Sequence, residues 1–203
     1  MLSAVVAAGL RSPPDPVASL PYFEFLGLEP KLRLDSAALQ KRFYELSRQW
    51  HPDRFARKSA AEQQQALDNT ALLNDAFRTL KDPVSRAEYV LSSEGFDIGE
   101  QRTKDVPPEL LEEVFELNMA LDEMRSGDES ARPALEQART GFAAMLDRID
   151  RDLDGQFASW DTGRSRDSLQ AIRGSLNRRK YIANLVRSVD QALSERQHGH
   201  VSN

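Results

Sequence analysis

Three consecutive residues of types that could do chemistry, His51-Pro52-Asp53, lie between two stretches with helical periodicity. The imidazole and the carboxylate could act as metal ligands, or Asp53 could present its charge to an arginine of a partner protein. Pro52 stiffens the loop and ends the preceding helix, because proline disfavours the α conformation at the residue before it. A metal site needs further ligands, and the other two histidines, His198 and His200, lie in a polar tail. We therefore favour a protein-binding loop, with a metal-dependent hydrolase as the alternative.

The composition limits the chemistry further. The chain has 203 residues and no cysteine, which excludes disulfides, thiolate nucleophiles and iron–sulfur clusters held by its own thiols. The net charge is −5, but residues 31–58 hold eight bases against three acids, residues 107–161 fourteen acids against five bases, and residues 162–203 eight bases against three acids. This asymmetry suggests separate faces for separate partners, although a mixed surface could segregate by chance.

The sequence disfavours several cellular localisations and several kinds of partner. No stretch approaches the roughly 18–20 apolar residues that span a bilayer. The apolar residues 1–10 lack the basic region of a secretory signal, and Arg11 is the single arginine where a mitochondrial presequence would carry several. No glycine-rich phosphate loop is present. We expect a protein of the bacterial cytoplasm rather than the mitochondrial matrix, with no cofactor, no nucleic-acid partner and no membrane partner.

Two helices are predicted up to the tripeptide. The first is a brief one over residues 22–28, and Asp35 or Ser36 can cap the second, which must end near His51. The apolar residues of the second recur at spacings of 4, 3 and 4, so they form one helical face. Two of them, with Tyr44, could instead form a stacking platform for nucleic acid, but their place on the apolar face favours the core. The members of this face are Leu39, Phe43, Leu46 and Trp50.

Two more helices and a boundary follow the tripeptide. A helix is predicted over residues 60–80, and Asp82-Pro83 is typical of the start of another, with Asp82 as its cap. Gly95 ends that helix. Residues 97–108 lose the periodicity and finish in two prolines, so we place a domain boundary there.

Three longer helical patterns follow the boundary. The first two carry apolar faces over residues 110–124 and 135–153, and we expect Gly127 and residues 155–163 to be the breaks between helices. The third pattern spans roughly residues 165–196. Its apolar face consists of Leu169, Ile172, Leu176, Ala183, Val186 and Leu193. With no alternating β pattern, the chain is predicted to be all-α, in two units of about 75 and 95 residues.

The tripeptide in this setting resembles the J domain, the module that activates heat-shock chaperone ATPases of the DnaK class. A basic amphipathic helix runs into it, a longer helix follows it, and a YFEFLGL helix precedes both. RFYELSRQWHPDRF over residues 42–55 and RAEYVLSSEGFD over residues 86–97 are similar to one branch, the HscB family. These are the J-type co-chaperones of iron–sulfur cluster assembly. General J domains carry basic residues where this chain has Gln40, Tyr44 and Glu45. In this chain the basic residues are instead Arg42 and Arg48, as in the HscB branch.

The resemblance implies a binding site for a DnaK-class chaperone, of the specialised HscA type. In the family the tripeptide couples docking to ATP hydrolysis, and the basic residues would steer the docking electrostatically. His51 would hold the turn or donate to the partner. The implied chaperone-binding residues are His51, Pro52, Asp53, Lys41, Arg42, Arg48 and Arg54.

The first helix after the boundary has a second apolar row that a three-helix bundle does not need. Leu111, Phe115 and Met119 lie roughly 100–180° around the helix from Leu110. Such a row is either packed between the two units or exposed for a partner.

The resemblance implies a partner for this row. In HscB proteins the scaffold protein on which clusters are built, of the IscU type, binds an apolar patch on this helix and on the last one. The implied scaffold-binding residues are Leu111, Glu112, Phe115, Glu116 and Tyr181. Glu112 departs from the family, which usually has an apolar residue there. Tyr181 could equally be a half-buried packing residue.

These observations together predict a non-enzymatic co-chaperone with no catalytic residues and no metal ligands. Residues 1–20 would be a loosely ordered extension, 21–96 a J domain, 97–108 a linker and 109–197 a scaffold-binding three-helix bundle. The protein would stimulate the ATPase of a DnaK/HscA-class chaperone and deliver the scaffold to it. A general folding co-chaperone for other clients is the alternative within J proteins.

Overall fold

The computed structural model describes residues 20–96 and 108–198, the last four by their backbone alone. Within these ranges every regular element is a helix, which confirms the predicted all-α class, and no helix there is both long and apolar enough to cross a membrane. Short 3-10 turns at Pro108–Leu110 and Glu129–Ala131 precede the sixth and seventh helices. The α-helices are α1 (Pro21–Leu26), α2 (Ser36–Gln49), α3 (Pro52–Phe55), α4 (Ala60–Lys81), α5 (Pro83–Ser93), α6 (Leu111–Ser126), α7 (Arg132–Gly163) and α8 (Arg166–His198).

Helices α2 and α4 form an antiparallel hairpin with the tripeptide near its tip. The rings of Phe43 and Phe77 are 4.3 Å apart between centroids, and nearer the tip Thr70 Oγ1 lies 3.2 Å from the carbonyl oxygen of Trp50. Helix α1 packs on both arms of the hairpin, and its Phe23 is fully buried. The tripeptide is thus carried by two helices that share one core.

Side-chain caps start the helices where the sequence predicts them. The carboxylate of Asp35 accepts a hydrogen bond from the amide of Ala37 at 2.9 Å, and that of Asp82 accepts one from the amide of Ser85 at 2.7 Å. Each bond satisfies an amide that the start of a helix leaves without a partner. Gly95, with φ of 76°, follows the end of α5, because glycine adopts the left-handed conformation at little cost.

The second unit is the predicted set of three helices, but its second helix is longer than predicted. The sequence predicts a break over residues 155–163, whereas α7 continues through this segment as far as Gly163. Phe157 and Trp160 are buried and extend the apolar face of the helix at helical spacing. Their burial outweighs the roughly 1 kcal/mol that a glycine such as Gly155 costs inside a helix.

The buried face of α8 also differs from the prediction in its second half. Leu169, Ile172 and Leu176 are buried as predicted, but the face then continues through Ile182 and Val189. At about 100° per residue, Ile182 lies about 80° and Val189 about 100° around the helix from Ile172. Helix α8 packs against α5 as well as against α6 and α7. Its buried residues therefore do not all lie on a single face of the helix. The predicted positions that are only partly buried are Ala183, Val186 and Leu193.

The two units pack against each other. Their buried apolar residues form one continuous cluster that runs from Leu20 to Val189. Phe96 lies at the end of the described part of the first unit. The guanidinium carbon (Cζ) of Arg166, at the start of α8, lies 4.6 Å from the centroid of the Phe96 ring. The predicted linker over residues 97–108 lies outside the described residues except for Pro108, so the division into domains stays a prediction.

Candidate partner-binding surfaces

His51 and Pro52 start a short helix, α3, which is not among the helices predicted from the sequence. His51 is extended (φ −61°, ψ 128°), and Pro52 takes the first helical position, where its missing N–H costs nothing. The imidazole Nδ1 of His51 accepts a hydrogen bond from the amide of Asp53 at 3.3 Å, and its carbonyl oxygen accepts one from the amide of Arg54 at 3.0 Å. His51 therefore caps α3 and holds the turn.

Asp53 projects into solvent from this loop. Its side chain is 90% exposed, against 55% for His51. Behind the loop the indole of Trp50 stacks on Phe55, with 6.0 Å between ring centroids and 17° between the ring planes. The carboxylate of Asp53 is thus presented on a supported backbone and is open to a cation of a partner.

Neither alternative use of this region finds support in the surrounding residues. Among the side chains that the structure describes, in residues 20–96 and 108–194, no three of metal-ligating type are grouped so that they could hold a metal ion. Phe43 and Trp50 are half-buried against the core, as predicted, which leaves Tyr44 as the exposed ring of the three. A single ring does not make the series of stacking positions that binds a nucleic-acid strand.

The predicted bases of α2 divide into two kinds. Lys41 and Arg48 are exposed. Arg42 is half-buried: its Nε donates to the carbonyl oxygen of Leu26 at 2.8 Å, and its Nη1 donates to the carboxylate of Glu45 at 2.6 Å. Arg42 thus ties α1 to α2, and its guanidinium is engaged within the protein.

Arg54 and Tyr44 complete the exposed surface beside the loop. Arg54 is exposed on α3 and donates from Nη1 to the carbonyl oxygen of Arg48 at 3.4 Å. Tyr44 is 54% exposed and lies between Lys41 and Arg48 on α2, since residues three and four apart share a helix face. Tyr44 is not among the site residues predicted from the sequence, although its spacing of three and four residues from the two bases predicts that it shares their helix face.

Helix α6 exposes its second apolar row. Leu111, Phe115 and Met119, each one turn from the next, are 56%, 64% and 51% exposed. The sequence allowed this row to be either packed between the two units or exposed, and the structure shows that it is exposed. These three side chains are named the apolar row below. The other row is buried as predicted, and consists of Leu110, Val114, Leu117, Leu121 and Met124.

The remaining predicted scaffold-binding residues lie near the start of the apolar row. Glu112 and Glu116 are exposed on the same helix. Tyr181 of α8 is half-buried, and burial raises the pKa of its hydroxyl. One turn before it, Arg178 forms an ion pair with Glu109 at 3.1 Å, which brings this turn of α8 beside the start of α6.

Both units are similar to known proteins. Residues 21–89 match the family described as DnaJ domain, and residues 106–190 match the HSCB C-terminal oligomerisation domain. Chaperone HscB from Vibrio cholerae, a solved structure, is 31% identical to this chain in sequence. The alignment covers 86% of this chain and 98% of the Vibrio cholerae chain, and the TM-score is 0.59. Human co-chaperone protein HscB has 26% identity, covers 90% of this chain and 85% of that chain, and gives a TM-score of 0.64.

Replacing Arg42 should destabilise the protein, whereas replacing its neighbour Lys41 should not. Arg42→Ala leaves the carbonyl oxygen of Leu26 without its partner and is expected to lower the free energy of unfolding by about 1–2 kcal/mol. Lys41→Ala removes the same charge from an exposed position of α2 and should stay within about 0.5 kcal/mol of the wild type. Urea denaturation followed by circular dichroism measures both values. Equal stabilities of the two variants would contradict the structural role of Arg42.

Proposed function

Because the chain belongs to the HscB family, the J-domain co-chaperones of iron–sulfur cluster assembly, we propose that it stimulates the ATPase of an HscA-type chaperone and delivers an IscU-type scaffold protein to it. The observation that carries the proposal is the presence of two exposed surfaces on two different units. The loop of His51, Pro52 and Asp53 lies near the tip of the α2–α4 hairpin, and the apolar row lies on α6. With one partner on each surface, this chain could bring the scaffold to the chaperone. In that role it would break and form no covalent bond itself.

We assign chaperone binding to the loop and to the exposed bases beside it. Because the backbone of the loop is already held, Asp53 can form a charge-assisted hydrogen bond with a partner arginine at a low cost in ordering. Lys41, Arg48 and Arg54 would speed the encounter with an acidic surface. Arg42 contributes to this site indirectly, through its bond to α1.

We assign scaffold binding to the apolar row and its surroundings. Covering a side chain such as Phe115 contributes roughly 1.5–3 kcal/mol before the costs of association are subtracted. Two or three such side chains support a transient contact of about micromolar affinity. Glu112 and Glu116 add a charged border that favours basic residues on the scaffold, and Tyr181 adds a half-buried ring.

The alternative, a general folding co-chaperone, would use the same loop and differ in what the second unit binds. The match of residues 106–190 to the HSCB C-terminal domain favours the scaffold as the client, because a general co-chaperone has no need of that unit. Binding measurements on variants of the apolar row separate the two functions.

The loop carboxylate should be needed for stimulation of the ATPase. Asp53→Asn keeps the size of the side chain and removes its charge, and losing one partner of a desolvated charge pair costs about 2 kcal/mol or more. We therefore expect the stimulation of an HscA-type chaperone, measured as phosphate release, to fall about tenfold or more. Asp68→Asn, the same change at an exposed position of α4, should stimulate as the wild type does. Full stimulation by Asp53→Asn would show that this carboxylate does not couple docking to hydrolysis.

The apolar row should be needed for scaffold binding but not for folding. The double variant Leu111→Ala with Phe115→Ala removes two exposed side chains and is expected to weaken binding of an IscU-type scaffold about tenfold to a hundredfold, measured by isothermal titration calorimetry. Leu67→Ala, the same kind of change at a leucine that is 52% exposed on α4, should bind the scaffold as the wild type does. Undiminished binding by the double variant would move the scaffold site away from α6 and leave the general co-chaperone as the better reading.

A further inference from the structure

The C-terminal end of α7 binds the main chain of the segment that joins α1 to α2. The carboxylate oxygens of Asp161 accept hydrogen bonds from the consecutive amides of Leu32 and Arg33, at 2.7 and 2.8 Å. Arg164, in the left-handed conformation that follows the last turn of α7 (φ 51°), donates to the carbonyl oxygen of Pro30. Three main-chain groups of the first unit are thus held by two residues of the second. These contacts are named the interunit clamp.

The same segment is also held by a buried arginine of α5. Arg86 is only 6% exposed, and it donates from Nε to the carbonyl oxygen of Leu32 at 2.9 Å and from Nη1 to that of Leu80. Burial lowers the pKa of its guanidinium, and the charges of Asp82 and Asp161 oppose this shift. The peptide group before Leu32 donates to Asp161 of α7. The peptide group after Leu32 also donates to Asp161, and its carbonyl oxygen accepts from Arg86 of α5, so these two peptide groups connect α5 with α7. Asp161 supplies a countercharge to this connection as well as two hydrogen-bond acceptors.

Beside the clamp the contact between the units is interrupted by a cleft of about 1000 Å³. Arg33 pairs with Asp154 across it at 3.1 Å, but both side chains are more than half exposed. An exposed pair of this kind contributes about 0–1 kcal/mol. Asp161 differs because it combines two short bonds to the main chain with a carboxylate that acts on a buried charge, so we expect it to constrain the angle between the units more than the exposed pair does.

We propose that Asp161 is a positioning residue: by holding the amides of Leu32 and Arg33, it sets the angle between the chaperone-binding loop and the apolar row. This inference rests on the proposed function, because the angle matters when both surfaces are occupied together. A carboxylate suits the role, since its two acceptor oxygens match two consecutive N–H donors, whereas an amide side chain offers one acceptor. Asp161 belongs to neither partner surface, so its replacement should spare each partner's own binding and reduce the effect of the two together.

The angle between the units can be measured directly, because the chain has no native cysteine. Nitroxide labels at Ala71→Cys on α4 and Ala144→Cys on α7, both exposed positions, report the distance between the units by double electron–electron resonance. We expect Asp161→Asn to broaden or displace the distribution of this distance. Asp152→Asn, the same change at an exposed position of α7, should leave the distribution as in the wild type.

The functional consequence is measured with unlabelled full-length variants. Stimulation of an HscA-type chaperone is recorded with and without an IscU-type scaffold, and scaffold affinity is recorded by calorimetry. Asp161→Asn should bind the scaffold and stimulate the chaperone alone as the wild type does, but lose several-fold of the extra stimulation that the scaffold adds, because a joint effect depends on a geometry that allows both contacts. Asp152→Asn should match the wild type in every measurement.

A wild-type distance distribution together with a wild-type scaffold effect in Asp161→Asn would overturn the proposal. An equal loss of stimulation with and without scaffold would also overturn it, because that pattern indicates a general loss of structure. If Asp161→Asn does not fold, Arg164→Asn decides instead, since asparagine tolerates the left-handed conformation and the lost bond to Pro30 must give the same pattern. A wild-type chain that stimulates no chaperone would refute the proposed function, and the distance measurement would still test the clamp.

Discussion

The buried guanidinium of Arg86 sets a condition that both units must satisfy together. It belongs to the one charged residue that is buried in the described part of the chain. An unpaired charge in a protein interior costs several kcal/mol, so its acceptors and countercharges must be in place when the core closes. The acceptors are carbonyl oxygens of Leu32 and Leu80, and the countercharges are Asp82 and, from the second unit, Asp161. One buried charge thus brings together the segment between α1 and α2, the end of α4, the start of α5 and the end of α7.

With the interior arranged in this way, the two partner surfaces can stay exposed and still be well ordered. The loop at His51 depends on its own cap and on the stacking of Trp50 on Phe55, and it needs no contact with the second unit. The apolar row lies opposite a buried row on the same helix, which anchors α6 in its bundle. Three large apolar side chains exposed in one line are costly for a protein that acts alone, so the row indicates a partner that covers it.

The features that could be predicted from the sequence are those that depend on close neighbours. The cap at Asp35, the helix end before the loop and the two rows of α6 involve residues within one or two turns. The passage of α7 through Gly155 could not be predicted in this way, because burial against other helices decides it. Arg42 looks like a docking base until α1 packs against α2, and Asp161 meets Leu32 across 129 positions of sequence. The partner roles of the surface residues stay predictions.

The claim that one chain presents two partners to each other is tested most directly by the rate of ATP hydrolysis in a single turnover of an HscA-type chaperone. The rate is measured with this protein alone, with an IscU-type scaffold alone and with both. If this protein delivers the scaffold, the two effects are coupled, and the acceleration with both exceeds the product of the separate accelerations. An acceleration no greater than that product would show that the two act independently and would contradict the delivery role.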